Sequence, residues 1–355
     1  MAAKAFPVEV PRIVGTPIEE VPQLQPHARV LISLGYLTLE HLLFAMDLVG
    51  KELSDIVGAD MSQLLSSVQI APTAISPEEL DALSNAQYSF GFAIESLPPG
   101  EAPALEVPVQ LGTTQIPNVN LIPQMPPVRR QGQRGTCVAH AALAAFEHAK
   151  MRNNRYEDMS EQFLYWSCKQ NDGRSSGLGT WLRIAVPLLQ RDGCCKETTW
   201  EYNPAPISGN EAQGPPPANA QLEALDYRIP MHRQLAPTSV NDLKAELAEG
   251  RVVAFSIPSY KSWYNNVWIR YTGDIVLPVP GEVRIGGHAM SLVGFADMPD
   301  KPELEGGRFI VRNSWGEEWG THCQYGKGYG TIPYRYIGRE CLEAYSIPVF
   351  SEAVS

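Results

Sequence analysis

The chain has 355 residues, 44% of them apolar and 19% charged, and 28 Lys and Arg against 39 Asp and Glu give it a formal net charge of −11. Such a length supports two or three domains with a sizeable core; no apolar run approaches the ~18 residues of a membrane-spanning helix, and Pro7, Pro11 and Pro17 interrupt the start where a signal's apolar stretch would lie, so a cytoplasmic protein without membrane contact is expected. Residues 1–124 hold four Lys and Arg against 14 Asp and Glu, and this acidic third repels phosphate, which excludes nucleic acid as its partner.

Residues 29–70 carry apolar positions at helical spacing, with Gly35, Gly50 and Gly58 as punctuation, the pattern of short helices joined by turns. Thr38 predicts one helix start. Ser76-Pro77-Glu78-Glu79 predicts another, with a serine cap, proline in the first position and acids in the first turn. A small acidic all-α domain is therefore expected over residues 1–97, its short glycine-joined helices resembling helix-hairpin-helix or SAM-like folds. Residues 98–124 are rich in proline and poor in periodicity, which predicts an extended linker. From 125 to 355 a larger domain is expected. It starts with helices from Cys137 to about Met151, after a cap at Ser160, and from Thr180 to an end at Gly193. A proline-rich surface loop follows at 203–220, and beyond 225 the pattern turns to strands: "VVAFSIP", "HAMSLVGFA", "RFIVRNSW" and "EAYSIPVF". Helices first and strands second predict the α+β class.

The stretch "QGQRGTCVAHAALAAFEHAK" (131–150) puts Cys137 where a helix begins. A helix N-terminus and a nearby imidazolium lower a thiol's pKa and make it a nucleophile, whereas a lone cysteine is equally at home as a buried structural thiol. Two later segments supply the missing groups. His288 follows a Gly-Gly turn at the start of an apolar strand, and Asn313 ends another, with Trp315 two residues on. An Asn amide oxygen that accepts from the imidazole N–H orients the ring without adding charge, and Trp315 is placed to shield that bond from water. Gln131, six residues before Cys137, can aim its amide at the same place as the Cys137 backbone N–H and so form an oxyanion hole.

Together, Q-G-x-x-G-x-C (Gln131 to Cys137), the "SEQ" helix start (Ser160 to Gln162), G-H-A (Gly287 to Ala289), N-S-W-G-x-x-W-G (Asn313 to Gly320) and G-Y-G-x-I-P-Y (Gly328 to Tyr334) resemble the papain-like cysteine peptidases over about 120–350, bacterial members most of all. The resemblance implies a two-lobed fold with a helical and a β-barrel-like half. It implies hydrolysis of a polypeptide substrate through an acyl-enzyme, with Cys137, His288, Asn313 and Gln131 as the catalytic set and neither cofactor nor metal. It also puts Gly177, Leu178 and Gly179 beside the substrate backbone, with Phe255 and Ala289 bordering a side-chain pocket. Arg134 stands where many secreted relatives have a disulfide cysteine, and His140 where an aromatic residue is common. The other histidines (His27, His41, His148, His232, His322) show no ligand spacing, and the six cysteines are expected to be reduced, a Cys323–Cys341 bridge being the open alternative.

The long helical propeptide pattern of the family is not found in residues 1–124. That segment is expected to inhibit the enzyme as part of a zymogen by another route, with the linker's Leu105, Val107, Val109 and Leu111 filling the cleft, or else to be a targeting or partner-binding module. Acyl transfer to an amine, as in a ligase or transglutaminase, is the alternative to hydrolysis. Nothing in the pattern sets an oligomeric state.

Overall fold

In a computed structural model of the chain, the structure describes residues 14–68, 75–94, 117–304 and 306–348. Five short helices come first: α1 (Ala28–Ser33), α2 (Leu39–Leu43), α3 (Met46–Val57), α4 (Met61–Ser66) and α5 (Pro77–Asn85). Their starts obey local chemistry. Thr38, Asp60 and Ser76 each accept from the N–H three residues on, at His41, Gln63 and Glu79. Gly58 closes α3 at φ +69°, but Gly50 lies inside that helix rather than at an end. The kink expected there falls one residue earlier, at Val49 (φ −145°, ψ 23°).

The first four share an apolar core with the rest of the chain, through Leu31, Leu34, Tyr36 and Leu42 among others, whereas Leu83 of α5 packs in a separate cluster with Trp268 and Tyr271. Polar contacts reinforce the junction. The Leu277 N–H donates to the Leu34 carbonyl at 2.8 Å and Asn266 Nδ2 to the His41 carbonyl at 3.1 Å, while Lys301 pairs with Glu19 at 2.6 Å.

The remainder is built on α6 (Cys137–Met151), in which every residue but Met151 is buried. Its six alanines let the sheet come close, since Ala adds little bulk and has the best helix propensity. Helices α7 (Glu161–Asn171), α8 (Leu182–Arg191) and α9 (Ala220–Ala224) complete the helical half, α10 (Val240–Ala248) and α13 (Tyr334–Glu340) flank the sheet, and α11 (Lys261–Tyr264) and α12 (Val267–Thr272) pack against the N-terminal helices. The sheet holds β1 (Val119–Asn120), β2 (Arg233–Gln234), β3 (Val253–Ser259), β4 (Gly286–Asp297), β5 (Gly307–Arg312), β6 (Tyr329–Pro333) and β7 (Glu343–Ser346) in the order β2-β7-β3-β4-β5-β6, every neighbour antiparallel. The first half of β4 pairs with β3 (His288 with Ile257), and the second half with β5 and, on its other side, with β1.

β1 shifts the expected linker. Val119 pairs with Phe295 and Asn120 with Gly294, and a Cβ on Gly294 would overlap the Val119 carbonyl, so Val119–Asn120 join the sheet and Ile122–Gln124 form a 3-10 turn after it. Residues 98–116 of that stretch lie outside the described residues. Among the described residues no helix is long and apolar enough to cross a membrane, and no group of three or more His, Cys, Asp or Glu is arranged to hold a metal ion.

All six cysteines are free thiols, Cys323 and Cys341 included. Arg134 does by hydrogen bonding what a bridge would do covalently. Its guanidinium is 1% exposed, donates to Gln162 Oε1 (2.6 Å) and to the Asn203 (2.9 Å) and Glu211 (3.2 Å) carbonyls, and lies over the Tyr165 and Tyr202 rings. It thereby pins the proline-rich 203–220 loop to α7. Arg134→Met removes three donors and leaves buried acceptors unpaired, so stability to urea should fall by about 2–4 kcal/mol. An unchanged midpoint would show that the loop is held by other contacts.

Candidate active site

Cys137 is the first residue of α6, and its sulfur points at the sheet. The Ala289 N–H on β4 donates to Sγ at 3.2 Å. One residue back along β4, His288 turns its ring toward the end of β5, where Nε2 lies 2.8 Å from Asn313 Oδ1. The amide's orientation is fixed by its neighbour, because the Ser314 N–H also donates to Oδ1, at 2.8 Å, and only an oxygen accepts. Nε2 of His288 therefore carries the proton, and Nδ1, buried and without a hydrogen-bond partner, holds the lone pair. Trp315 stacks on the imidazole at 4.5 Å, with Trp263 behind it at 5.9 Å.

Gln131 joins this set through Ser314. Its Oε1 accepts from the Ser314 hydroxyl at 2.6 Å, which fixes Nε2 as the donor end of the amide. The sequence singles out neither Ser314 nor its double role, because a serine inside N-S-W-G carries no pattern of its own.

Nε2 of Gln131 donates to the Arg134 carbonyl (2.8 Å) and, at 3.0 Å, to the carbonyl of Ser89. Residues 87–94, immediately after α5, run across the site. Ser89 also receives Trp315 Nε1 at 3.2 Å, and Tyr88 stacks on Trp315 at 4.5 Å. Phe90 meets His288 edge-on at 6.3 Å. The Gly91 carbonyl accepts from the Thr180 N–H and the Ala93 N–H donates back to the Thr180 carbonyl, both at 3.0 Å, a parallel pairing centred on Phe92. Trp181 Nε1 donates to the Ala93 carbonyl at 2.8 Å. A Cβ on Gly91 would sit 2.8 Å from the Cys137 nitrogen and nearer still to the Gly135 carbonyl; no larger residue fits over the thiol.

Covered in this way, Cys137 and His288 are both 0% exposed. Burial pushes the thiol up to about 12, against the lowering effect of the Ala289, Val138 and Gly91 N–H groups. Burial likewise holds the imidazole down to about 4, partly offset by the Asn313 bond. Both are held uncharged.

Other expected positions distribute unevenly. Trp315 and Ala289 lie at the site, as described. Of the three residues expected beside the peptide backbone, Leu178 is 64% exposed and Gly177 packs only against Arg174. Gly179 touches Gly91, since a Cβ there would lie 2.5 Å from its carbonyl oxygen, but the backbone pairing itself is made by Thr180. The register is thus shifted toward the C-terminus. Phe255, expected at a pocket border, is wholly buried in β3 between Met290 and Ala344.

The sequence model of the papain family cysteine proteases matches residues 120–339. An uncharacterized peptidase C1-like protein of Acanthamoeba polyphaga mimivirus is 29% identical over 222 residues, 60% of this chain and 66% of its own length. Peptidase 1 of Dermatophagoides pteronyssinus is 26% identical over 205 residues, 58% and 56% of the two chains. The chain thus spans less than two thirds of these relatives. Among solved structures, xylellain, a cysteine protease from Xylella fastidiosa, superposes with a TM-score of 0.58 at 25% identity, covering 74% of this chain and 96% of its own. Digestive procathepsin L 3 of Tenebrio molitor larval midgut shares the fold over 92% of this chain and 98% of its own, with a TM-score of 0.52 at 18% identity. With the family model matched over more than half its length, this chain belongs to the papain family of cysteine proteases.

Proposed function

We propose that this chain is a cysteine endopeptidase kept inactive by its own residues 87–94. In the open enzyme the Cys137 proton passes to His288 Nδ1 and Sγ attacks the substrate carbonyl carbon. The resulting oxyanion takes the Cys137 N–H and Gln131 Nε2. The imidazolium proton then goes to the leaving amine as the C–N bond breaks. Water, giving its proton to His288, attacks the thioester, the acid departs, and the proton returns to sulfur. Asn313 keeps the imidazole in the tautomer this requires. The single observation that carries the assignment is the Ala289 N–H on Cys137 Sγ, which sets the thiol beside the strand whose preceding residue, His288, is bonded to Asn313.

The inhibitory half of the proposal rests on how the segment is bonded. Reversing a strand exchanges the places of its N–H and C=O groups along a groove. Laid parallel to Thr180, the segment sends its Gly91 and Phe92 N–H groups to the Gly287 carbonyl at 3.3 and 3.1 Å, next to His288, and its Ser89 carbonyl occupies the Gln131 donor. The thiol is thus buried beneath the segment, and the Gln131 donor is already taken. Tethering supplies an effective concentration of ~mM, so modest contacts suffice. These contacts favour an inhibitory role over a targeting module for the N-terminal region.

Cys137→Ala should abolish peptide hydrolysis, with His288→Ala and Asn313→Ala progressively less severe. Gln131→Ala should lower kcat by ~10²-fold with little change in KM. Hydrolysis retained in Cys137→Ala would defeat the whole assignment. For inhibition the informative variant is Gly91→Val in the full-length chain. Its side chain cannot fit over Cys137, and the rate of Cys137 alkylation by iodoacetamide should rise about tenfold or more; a rate equal to that of the unaltered chain would remove the segment from the mechanism.

Acid should loosen the segment. The covered imidazole has its pKa lowered from 6.5 to about 4, so between those values an uncovered His288 binds more protons than a covered one. Protons therefore favour opening as the pH falls from about 6.5 to about 4. Hydrogen exchange at the Gly91, Phe92 and Ala93 amides, corrected for intrinsic rate and followed in the Cys137→Ala chain, should lose protection across this interval. Constant protection would mean that His288 does not govern closure.

A further inference from the structure

Behind Asn313 the fold leaves a small cavity. The first two turns of α6 contribute His140, Ala141 and Ala144 to its wall, and the strands contribute Ser291, Arg312 and Asn313. A water centre has about 10 Å³ to occupy there, room for one molecule. All six residues are buried.

The polar atoms at this cavity are complementary. His140 Nδ1 lies 3.0 Å from the Thr136 carbonyl, and because a carbonyl only accepts, Nδ1 carries the proton and Nε2 the lone pair. That Nε2 is buried and makes no hydrogen bond to protein, and burial holds the ring uncharged, its pKa lowered to about 3. Asn313 Nδ2 and Arg312 Nη1 are likewise buried donors without a protein partner. One bare acceptor and three bare donors, Arg129 Nε being the third, thus border a space of one water. Left unmade, each such group costs about 1–3 kcal/mol.

We propose that a single buried water accepts from Asn313 Nδ2 and donates to His140 Nε2, making His140 a positioning residue for Asn313. The inference rests on the triad reading above. Its consequence is directional. With the NH₂ end of Asn313 anchored at the back, Oδ1 stays forward against the His288 Nε2–H. A flipped amide would set donor against donor there and remove the group that stabilises the imidazolium. The Ser314 N–H holds Oδ1 from one side, and the water holds the other end of the same amide. His140, on the same helix as Cys137, thereby acts on the base without touching it.

Two full-length variants separate the acceptor from mere bulk. His140→Gln keeps an acceptor near the same place, and His140→Phe keeps the volume and removes it. High-resolution crystal structures of the full-length chain should show a water within hydrogen-bond distance of His140 Nε2 and Asn313 Nδ2, retained with Gln and lost with Phe. In alkylation of Cys137 by iodoacetamide, the Phe variant should react about tenfold more slowly, with the alkaline limb of its pH profile moved to lower pH, while Gln stays within about threefold of the unaltered chain. The proposal is overturned if the cavity is dry, if the Phe variant keeps rate and profile, or if Gln falls as far as Phe with both folded by circular dichroism. Labelling that persists in Cys137→Ala would instead defeat the triad reading, and the crystallographic result would stand apart from it.

Discussion

Everything at the site depends on how closely α6 approaches β4. The contact is the Ala289 N–H on Cys137 Sγ, and it exists because the helix face toward the sheet is made of alanines. Bulkier side chains at Ala141 or Ala144, which share a cavity wall with Ala289, Met290 and Ser291 of β4, would push the strand outward and carry His288 with it. A nucleophile and a base drawn from separate halves of a molecule work only at hydrogen-bond reach. Here that reach is set by packing, not by any bond between the two side chains. The Ser291 hydroxyl, which donates to the Ala141 carbonyl at 3.3 Å, fastens strand to helix three residues beyond the base.

Ser314 is the second point of convergence. Its N–H fixes the Asn313 amide and its hydroxyl fixes the Gln131 amide, so the group proposed to orient the base and the group proposed to receive the oxyanion are set by one residue. Gln131 is held from below as well, its carbonyl accepting the Tyr202 hydroxyl at 2.7 Å while that ring packs under Arg134. Preorganised donors lose little freedom during reaction, and this network supplies that condition for Gln131. The same rigidity makes the site easy to block, since one backbone carbonyl, at Ser89, meets both Gln131 Nε2 and Trp315 Nε1 without any rearrangement.

Much of this was legible in the residues. The α+β class, the start of α6 at Cys137, the caps at Thr38, Ser76 and Ser160, and the four strands carrying His288, Asn313 and their neighbours all follow from local chemistry, because capping and period-two patterning act within a few residues. Proximity across the chain was not legible in this way. The pairing partner of the cleft segment is Thr180 rather than the glycines before it, since a turn's glycines are visible in sequence and a strand register is not. Phe255 reads as an apolar residue near the right place, yet period two in a strand covered on both faces does not tell cleft from core. The proline-rich stretch reads as extended chain because prolines signal it, and its Leu105, Val107, Val109 and Leu111 lie outside the described residues. "QYSFGFA", at 87–93, carries no such sign, and its one telling feature, a glycine between two phenylalanines, acquires meaning only against Gly135 and Cys137.

The departures from the family pattern follow a common physical rule. Where a disulfide or a plain aromatic would be expected, this chain buries a polar side chain and satisfies it locally. Arg134 spends its donors on one side chain and two carbonyls, and two aromatic faces shelter its charge. His140 gives one nitrogen to the Thr136 carbonyl and its edge to Tyr202, at 5.0 Å and 87°. Tyr202 is common to both, and its hydroxyl lies 2.6 Å from Thr136 Oγ1, the residue just before the nucleophile. A covalent bridge constrains mainly the unfolded chain and says little about the geometry around it. A hydrogen-bonded arginine constrains the folded state directly, because each donor has a required direction. In this chain the loop 203–220, the turn before Cys137 and the first turn of α6 are therefore one polar assembly, and the geometry of the nucleophile is coupled to a loop far from it in sequence.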